Sequence, residues 1–269
     1  MMTAFRMIYC TMPDPETATQ LGKVLISERL AACMNIVPQI QSSYWWDQKL
    51  TDDTETVLLL KTHEYLFPRI VARICDLHPY ECPCILELPL SDGNSEYLQW
   101  LESHLEFPDF ITEAKTLASG LHTNQKYGDQ PYMVHLEMVD KLVNQFIYLL
   151  PSQYHLFAQT ASWLHDVLED TGYTEIELQK RFPKQTCQVV KLLSKHPNQS
   201  YDEYYANIAS NPVAVYVKLC DRLANVRSSL FPRNDEKLNR YKLHQQNVQA
   251  FLNISPFTKI VAEIESLLS

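Results

Sequence analysis

Phe107-Pro108-Asp109-Phe110 divides the chain into two kinds of sequence, because the pattern before it breaks there and a different one follows. Up to about Glu106, short β-like runs alternate with helical ones, the sequence sign of an α+β or α/β layer. Phe5 to Thr11 reads as a strand. Asp14 then caps a helix to about Leu30, with Ala18, Leu21, Val24 and Leu25 at helical spacing. Cys33 to Trp46 and Thr54 to Lys61 form a strand pair joined by the polar turn around Asp47-Gln48-Lys49 and Thr51-Asp52-Asp53. A helix from Tyr65 to Leu77 stops before Pro79, Ile85 to Pro89 gives a fourth strand, and Glu96 to Leu105 a last helix. The order is βαββαβ plus a helix. From Ile111 onward nearly every segment has helical spacing instead: Ile111 to Leu121, Met133 to Leu150, Leu156 to Asp170, Glu175 to Arg181, Thr186 to Ser194, Tyr201 to Ile208, Pro212 to Ser229, Asp235 to Leu252 and Ile260 to Leu268. The expected fold class is therefore a two-domain α+β chain, residues 1–106 followed by an all-α domain of residues 107–269.

Composition agrees with that division. The 269 residues suffice for two ordinary domains, and 46% hydrophobic with 20% charged residues is the balance of a soluble globular protein. A net charge of −9 without any block of Lys or Arg argues against nucleic acid or an anionic membrane as the main partner. The longest apolar runs, Val57 to Leu60 and Ile85 to Leu90, fall far below the roughly 20 residues that span a bilayer, so no transmembrane helix is expected. Met1 to Cys10 has no secretory-signal pattern, which places the chain in the cytoplasm with reduced thiols. Cys82 and Cys84 flank Pro83, a spacing that suits neither a zinc knuckle nor a redox pair.

Six motifs in the first domain carry a resemblance: Thr11-Met12-Pro13-Asp14, Leu30-Ala31-Ala32-Cys33-Met34-Asn35-Ile36, Tyr44-Trp45-Trp46, Leu60-Lys61-Thr62, His78-Pro79-Tyr80-Glu81 and Tyr97-Leu98-Gln99-Trp100. Together they resemble the CutA divalent-cation-tolerance proteins. That resemblance implies a ferredoxin-like domain assembling as a homotrimer, and divalent metal, such as Cu²⁺, at positions matching Cys10, Cys33 and His78. The residues themselves offer a plainer reading, in which Cys10 and Cys33 are small apolar side chains of strands and His78 fixes a turn before Pro79. Tyr44, Trp45 and Trp46 put aromatics on both faces of one strand, a liability on an edge unless another subunit covers it.

In the second domain, Trp163-Leu164-His165-Asp166-Val167-Leu168-Glu169-Asp170-Thr171-Gly172 packs four ionisable side chains into six positions. On a helix His165 stacks over Glu169 and Asp166 over Asp170. Three carboxylates this close repel one another unless a cation or shared proton sits among them, although a His-Asp pair alone is common on surface helices. His135 follows Pro131-Tyr132, and Asp221 lies on a helix where Lys218, Asp221, Asn225 and Ser228 share one face opposite a stripe of Val215, Leu219, Leu223 and Val226.

Jointly these residues resemble the HD metallohydrolase superfamily, and more narrowly the hydrolase domain of Rel/SpoT-type and stand-alone alarmone hydrolases, over about Ile111 to Leu252. The resemblance implies a manganese ion and removal of the 3′-pyrophosphate of guanosine tetra- or pentaphosphate, without a synthetase. It also implies His135, His165, Asp166 and Asp221 as metal ligands, a mixed nitrogen and oxygen set acceptable to Mn²⁺, Fe²⁺ or Zn²⁺. Glu169 and Asp170 would orient water or relay its proton, and Asn225 and Ser228 would meet the nucleotide. Lys218 either meets phosphate or snorkels, and His122 either closes a helix end or meets phosphate. Where many relatives carry an Arg-Lys pair, this chain has Lys126-Tyr127 between Gln125 and Gly128, one residue shorter. Tyr127 is then a candidate to stack on a base, which leaves guanine preference open. The competing reading is a divalent-cation-binding protein whose helical half is a sensor or acts on another nucleotide.

Overall fold

The structure is a computed structural model that describes residues 3–252 and 256–269, and their side chains outside 245–252. It divides into two compact units, one running to Pro108 and including Gln179–Pro183, the other comprising Asp109–Leu178 and Lys184–Ser269.

In the first unit β1 (Phe5–Met12), α1 (Pro15–Ser27), β2 (Cys33–Trp46), β3 (Lys49–His63), α2 (Phe67–Leu77), β4 (Ile85–Pro89) and α3 (Ser95–Ser103) follow in order. The sheet order is β2-β3-β1-β4 and every neighbouring pair is antiparallel, the ferredoxin-like arrangement of a βαββαβ chain. Strand alternation decides the layers. Ile8, Cys10 and Met12 of β1 and Leu58 and Leu60 of β3 are fully buried with Ala18 and Leu25 of α1 and Ile70 and Ile74 of α2. Asp14 caps α1 by accepting from the Thr17 amide, and Pro15 stands at its first turn, where a missing N–H costs nothing.

One expectation is corrected in this unit. The β2–β3 connection is only Asp47-Gln48, both at positive φ (47° and 61°), so the hairpin closes in two residues. Thr51-Asp52-Asp53 consequently belong to the ladder, where Ser43 Oγ donates to Asp52 Oδ1 at 2.6 Å. Polar composition suggested a long turn; the backbone twist of a tight hairpin overrides it.

The second unit contains α4 (Phe110–Leu121), a two-strand hairpin of β5 (Lys126–Tyr127) and β6 (Gln130–Pro131), then α5 (Met133–Phe146), α6 (His155–Leu164), α7 (Val167–Asp170), α8 (Glu175–Gln179), α9 (Lys184–Leu193), α10 (Tyr201–Ala209), α11 (Pro212–Ser228), α12 (Asp235–Leu252) and α13 (Thr258–Leu268). Gly128 makes the β5–β6 turn with φ 62°, a conformation that costs glycine nothing. Helix α11 is the axis, packed by α5, α6, α9, α10 and α13 and buried on almost every side, from Val213 through Val226. The expected helix from Leu156 to Asp170 is broken: α6 ends at Leu164, and His165-Asp166 form a turn before α7. Among the described residues no helix is long and apolar enough to cross a membrane.

Candidate metal centre

Three elements of the second unit bring their polar side chains to one point. His135 comes from α5, His165 and Asp166 from the α6–α7 turn, and Asp221 from the middle of α11. The turn matters, because consecutive residues of an uninterrupted helix diverge by about 100°. Here both His165 and Asp166 reach the same centre, with His165 Nε2 2.9 Å from Asp166 Oδ2.

The separations are those of ligands around an ion. His135 Nε2 lies 3.3 Å from His165 Nε2 and 3.3 Å from Asp221 Oδ1. His135 Nε2 is 3.6 Å from Asp166 Oδ2, and His165 Nε2 is 3.8 Å from Asp221 Oδ1. Donor atoms about 2.1 Å from a shared ion stand about 3 Å apart in an octahedron and about 3.4 Å apart in a tetrahedron. His135, His165 and Asp221, all buried, place one ligand atom each within 4.8 Å of one another, the only such group of three among the described residues.

Electrostatics makes the same demand for positive charge. Burial opposes an imidazolium at His135, yet the hydrogen bonds it donates to Asp166 and Asp221 outweigh it and hold its pKa at about 9. Burial likewise opposes charge at His165, whose pKa is nevertheless raised by Asp166. Burial also works against both carboxylates, but His165 keeps Asp166 well below its ordinary range and Lys218 keeps Asp221 below its own. Without a metal, the two carboxylates hold protons on the imidazoles more tightly than usual. The donor set therefore fits a divalent ion of the nitrogen and oxygen preference of Mn²⁺, Fe²⁺ or Zn²⁺.

A second layer of hydrogen bonds aims these ligands. His165 Nδ1 donates to the Ser162 carbonyl at 2.9 Å, which turns Nε2 inward. Asp221 accepts from Lys218 Nζ at 2.9 Å on Oδ2 and from Asn225 Nδ2 at 2.6 Å on Oδ1. Asn225 Oδ1 in turn accepts from the Tyr127 hydroxyl at 2.8 Å, and the Tyr127 ring stacks on His135 at 4.8 Å. Asp166 Oδ2 accepts from the Tyr132 hydroxyl.

The other expected site residues lie around this cluster or at the surface. Tyr127, Lys218 and Asn225, expected at the nucleotide, form a hydrogen-bonded set with Asp221, both ends of the Asn225 amide being in use. Sequence spacing showed which residues share the α11 face but not what else that face meets. Ser228 is half-buried beside Tyr127, and Lys126 is exposed on β5. Glu169 and Asp170 are exposed rather than in the cluster. Glu169 Oε2 accepts from the Lys195 amide at 2.8 Å, and Asp170 Oδ2 from Gln125 Nε2 at 2.7 Å. Gln125 Oε1 is 2.6 Å from His122 Nδ1, so His122, which also closes α4, takes the helix-end role. Tyr132 was not among the expected site residues, and its sequence signal was its place in Pro131-Tyr132, three residues before His135.

In the first unit the structure does not gather Cys10, Cys33 and His78. Cys10 is buried in the core, where desolvation pushes its thiol up to about 12. Cys33 Sγ lies 3.4 Å from the Tyr97 hydroxyl. Both ring nitrogens of His78 are engaged, Nε2 with the Thr11 carbonyl at 2.9 Å and Nδ1 with the Tyr80 amide at 3.0 Å, which fixes the turn.

Comparison with known proteins addresses the first unit. Residues 6–104 match the family described as CutA1 divalent ion tolerance protein. The chain is 44% identical over 97 residues to the divalent-cation tolerance protein CutA of Thermus thermophilus, covering 36% of this chain and 94% of that protein. It is 42% identical over 96 residues to protein CutA 1, chloroplastic, of rice, and 36% identical over 98 residues to protein CutA of Homo sapiens. Of those two it spans only about half, 54% and 55% of their lengths, and 36% of this chain in each case. The solved structure of the Thermus thermophilus protein is matched with 42% identity and a TM-score of 0.37, over 38% of this chain and 99% of that one.

Proposed function

We propose, for a chain whose residues 6–104 belong to the CutA1 divalent ion tolerance family, that the helical unit is a metal-dependent phosphohydrolase removing the 3′-pyrophosphate of guanosine tetraphosphate or a related nucleotide. The CutA-like unit holds it in a cytoplasmic homotrimer. The convergence of His135, His165, Asp166 and Asp221 supports this reading. A divalent ion held by these four would supply positive charge for a developing phosphoryl anion and make water acidic enough to attack.

The chain's own residues then have separate tasks. Lys218 and Asn225 keep Asp221 ionised and oriented, and Ser162 keeps the His165 lone pair inward. Asp170, exposed and joined through Gln125 to His122, is the carboxylate assigned in this reading to take the proton of the attacking water, with Glu169 beside it on α7. Lys126, exposed on the hairpin, is the cation assigned to a phosphate of the substrate.

The second reading, a metal-binding sensor without turnover, is favoured by Glu169, whose carboxylate is tied to the Lys195 amide outside the cluster. One assay separates the two. Manganese-loaded protein is given a panel of 3′-pyrophosphorylated and ordinary nucleotides, and pyrophosphate release is followed. Release from guanosine tetraphosphate that disappears in His165→Ala and Asp221→Ala is the expected result. Metal binding without turnover of any nucleotide leaves the sensor.

A further inference from the structure

We propose that Tyr132 is the positioning residue of the metal centre, its hydroxyl holding Asp166 as a ligand, while Tyr127 supports Asp221 at one remove. The inference rests on the metal-site reading above and concerns which residues make the site rigid enough to bind.

Asp166 needs such support more than the other ligands. Its side chain is 19% exposed, against 2% for each histidine and 9% for Asp221, and it sits in a turn rather than within a helix. Among the described residues the Tyr132 hydroxyl is its donor outside the two imidazoles. A donor on a mobile ring would follow the carboxylate wherever it went; Tyr132 cannot. It is 8% exposed, stacked on His122 at 4.8 Å and 27°, and tilted against His135 at 5.4 Å and 58°. His122 is itself 2% exposed and held by Gln125. A fixed phenol therefore leaves Asp166 one well-bonded orientation, with Oδ2 facing the two Nε2 atoms.

Asp221 is held differently. Lys218 and Asn225 both donate to it, and Tyr127 acts only by fixing the Asn225 amide through Oδ1. Losing the Tyr127 hydroxyl removes one of several supports, whereas losing that of Tyr132 removes what is, among the described residues, the one neutral donor to the Asp166 carboxylate. The two phenols thus differ in rank although both line the site.

The test uses the full chain, titrated with Mn²⁺ against a chelator and with Co²⁺ by its visible absorption, which reports ligand geometry. Tyr132→Phe, which keeps the ring and its stacking, is expected to weaken metal binding by about 10- to 100-fold and to change the Co²⁺ spectrum. Tyr127→Phe weakens binding less. Should Tyr132→Phe fail to fold by circular dichroism, Gln125→Met loosens His122 and hence the Tyr132 ring without touching a ligand, and is expected to shift the Co²⁺ spectrum in the same way. A wild-type site that is lost in His165→Ala but keeps its affinity and Co²⁺ spectrum in Tyr132→Phe overturns the positioning role alone. Binding that is absent, or equal in wild type and His165→Ala, overturns the metal-site reading and the inference with it.

Discussion

His135 shows how strongly single residues feel this centre. It is buried, yet its pKa stands at about 9 because Asp166 and Asp221 face it. Its ordinary value is 6.5, so in the metal-free protein it contributes stability that is fully present below about 6.5 and is lost as pH rises through about 9. The depressed Asp166 and Asp221 act in the opposite sense, since their contribution is present at neutral pH and is lost only as pH falls through their folded values. The melting temperature of chelator-treated protein is therefore expected to fall between about pH 6.5 and pH 9. Metal affinity is expected to rise over the same range, because a bound ion must displace those protons. A melting temperature flat across that window would contradict the facing of His135 by two carboxylates. Residue types were readable from sequence here. Their partners were not: Tyr127 reads equally well as a base-stacking ring, until its hydroxyl is found on Asn225, 98 positions away.

Two elements set the geometry on which these residues depend. Helix α11 carries Lys218, Asp221 and Asn225, and its start is fixed by Asn211, whose side chain accepts from the amides of Val213 and Ala214. Asn211→Ala is expected to destabilise the helical unit by about 1 kcal/mol. Chemical denaturation of the metal-free chain reads this directly, and an unchanged midpoint would sink the capping role. In the first unit the β2–β3 hairpin holds Gln48 at φ 61°, a conformation that glycine adopts without steric cost. Gln48→Gly is expected to raise stability by about 0.5 to 1 kcal/mol, visible as a higher melting temperature; a lower one would show that the turn is not strained. Element types followed from hydrophobic period, as in β1, where Ile8, Cys10 and Met12 alternate inward. Element ends did not. The break at His165-Asp166 interrupts a run whose local pattern is helical throughout, and it is tertiary convergence on His135 and Asp221 that the turn serves.

At the scale of the molecule, the β2–β3 hairpin exposes a run of large apolar side chains. Trp45 is 73% exposed and Leu50 64% exposed, and the two are paired across the strands on one face. Such a pair calls for a cover, and the proposed trimer supplies one. Light scattering is expected to give three times the 31.3 kDa chain mass, and Trp45→Glu with Leu50→Glu to reduce it to one. A wild-type monomer at micromolar concentration would remove the role given to the first unit. The break at Phe107-Pro108-Asp109-Phe110, the βαββαβ order and the inventory of His135, His165, Asp166 and Asp221 were all set by the sequence alone, because hydrophobic period, proline and residue chemistry act locally. Only the tertiary structure decided that His135, His165, Asp166 and Asp221 from three elements meet around α11, that Tyr132 and Asn225 hydrogen-bond to the two carboxylates, and that Cys10, Cys33 and His78 stay apart. Those facts depend on which helix faces pack together, and packing joins positions tens of residues apart that no local pattern links.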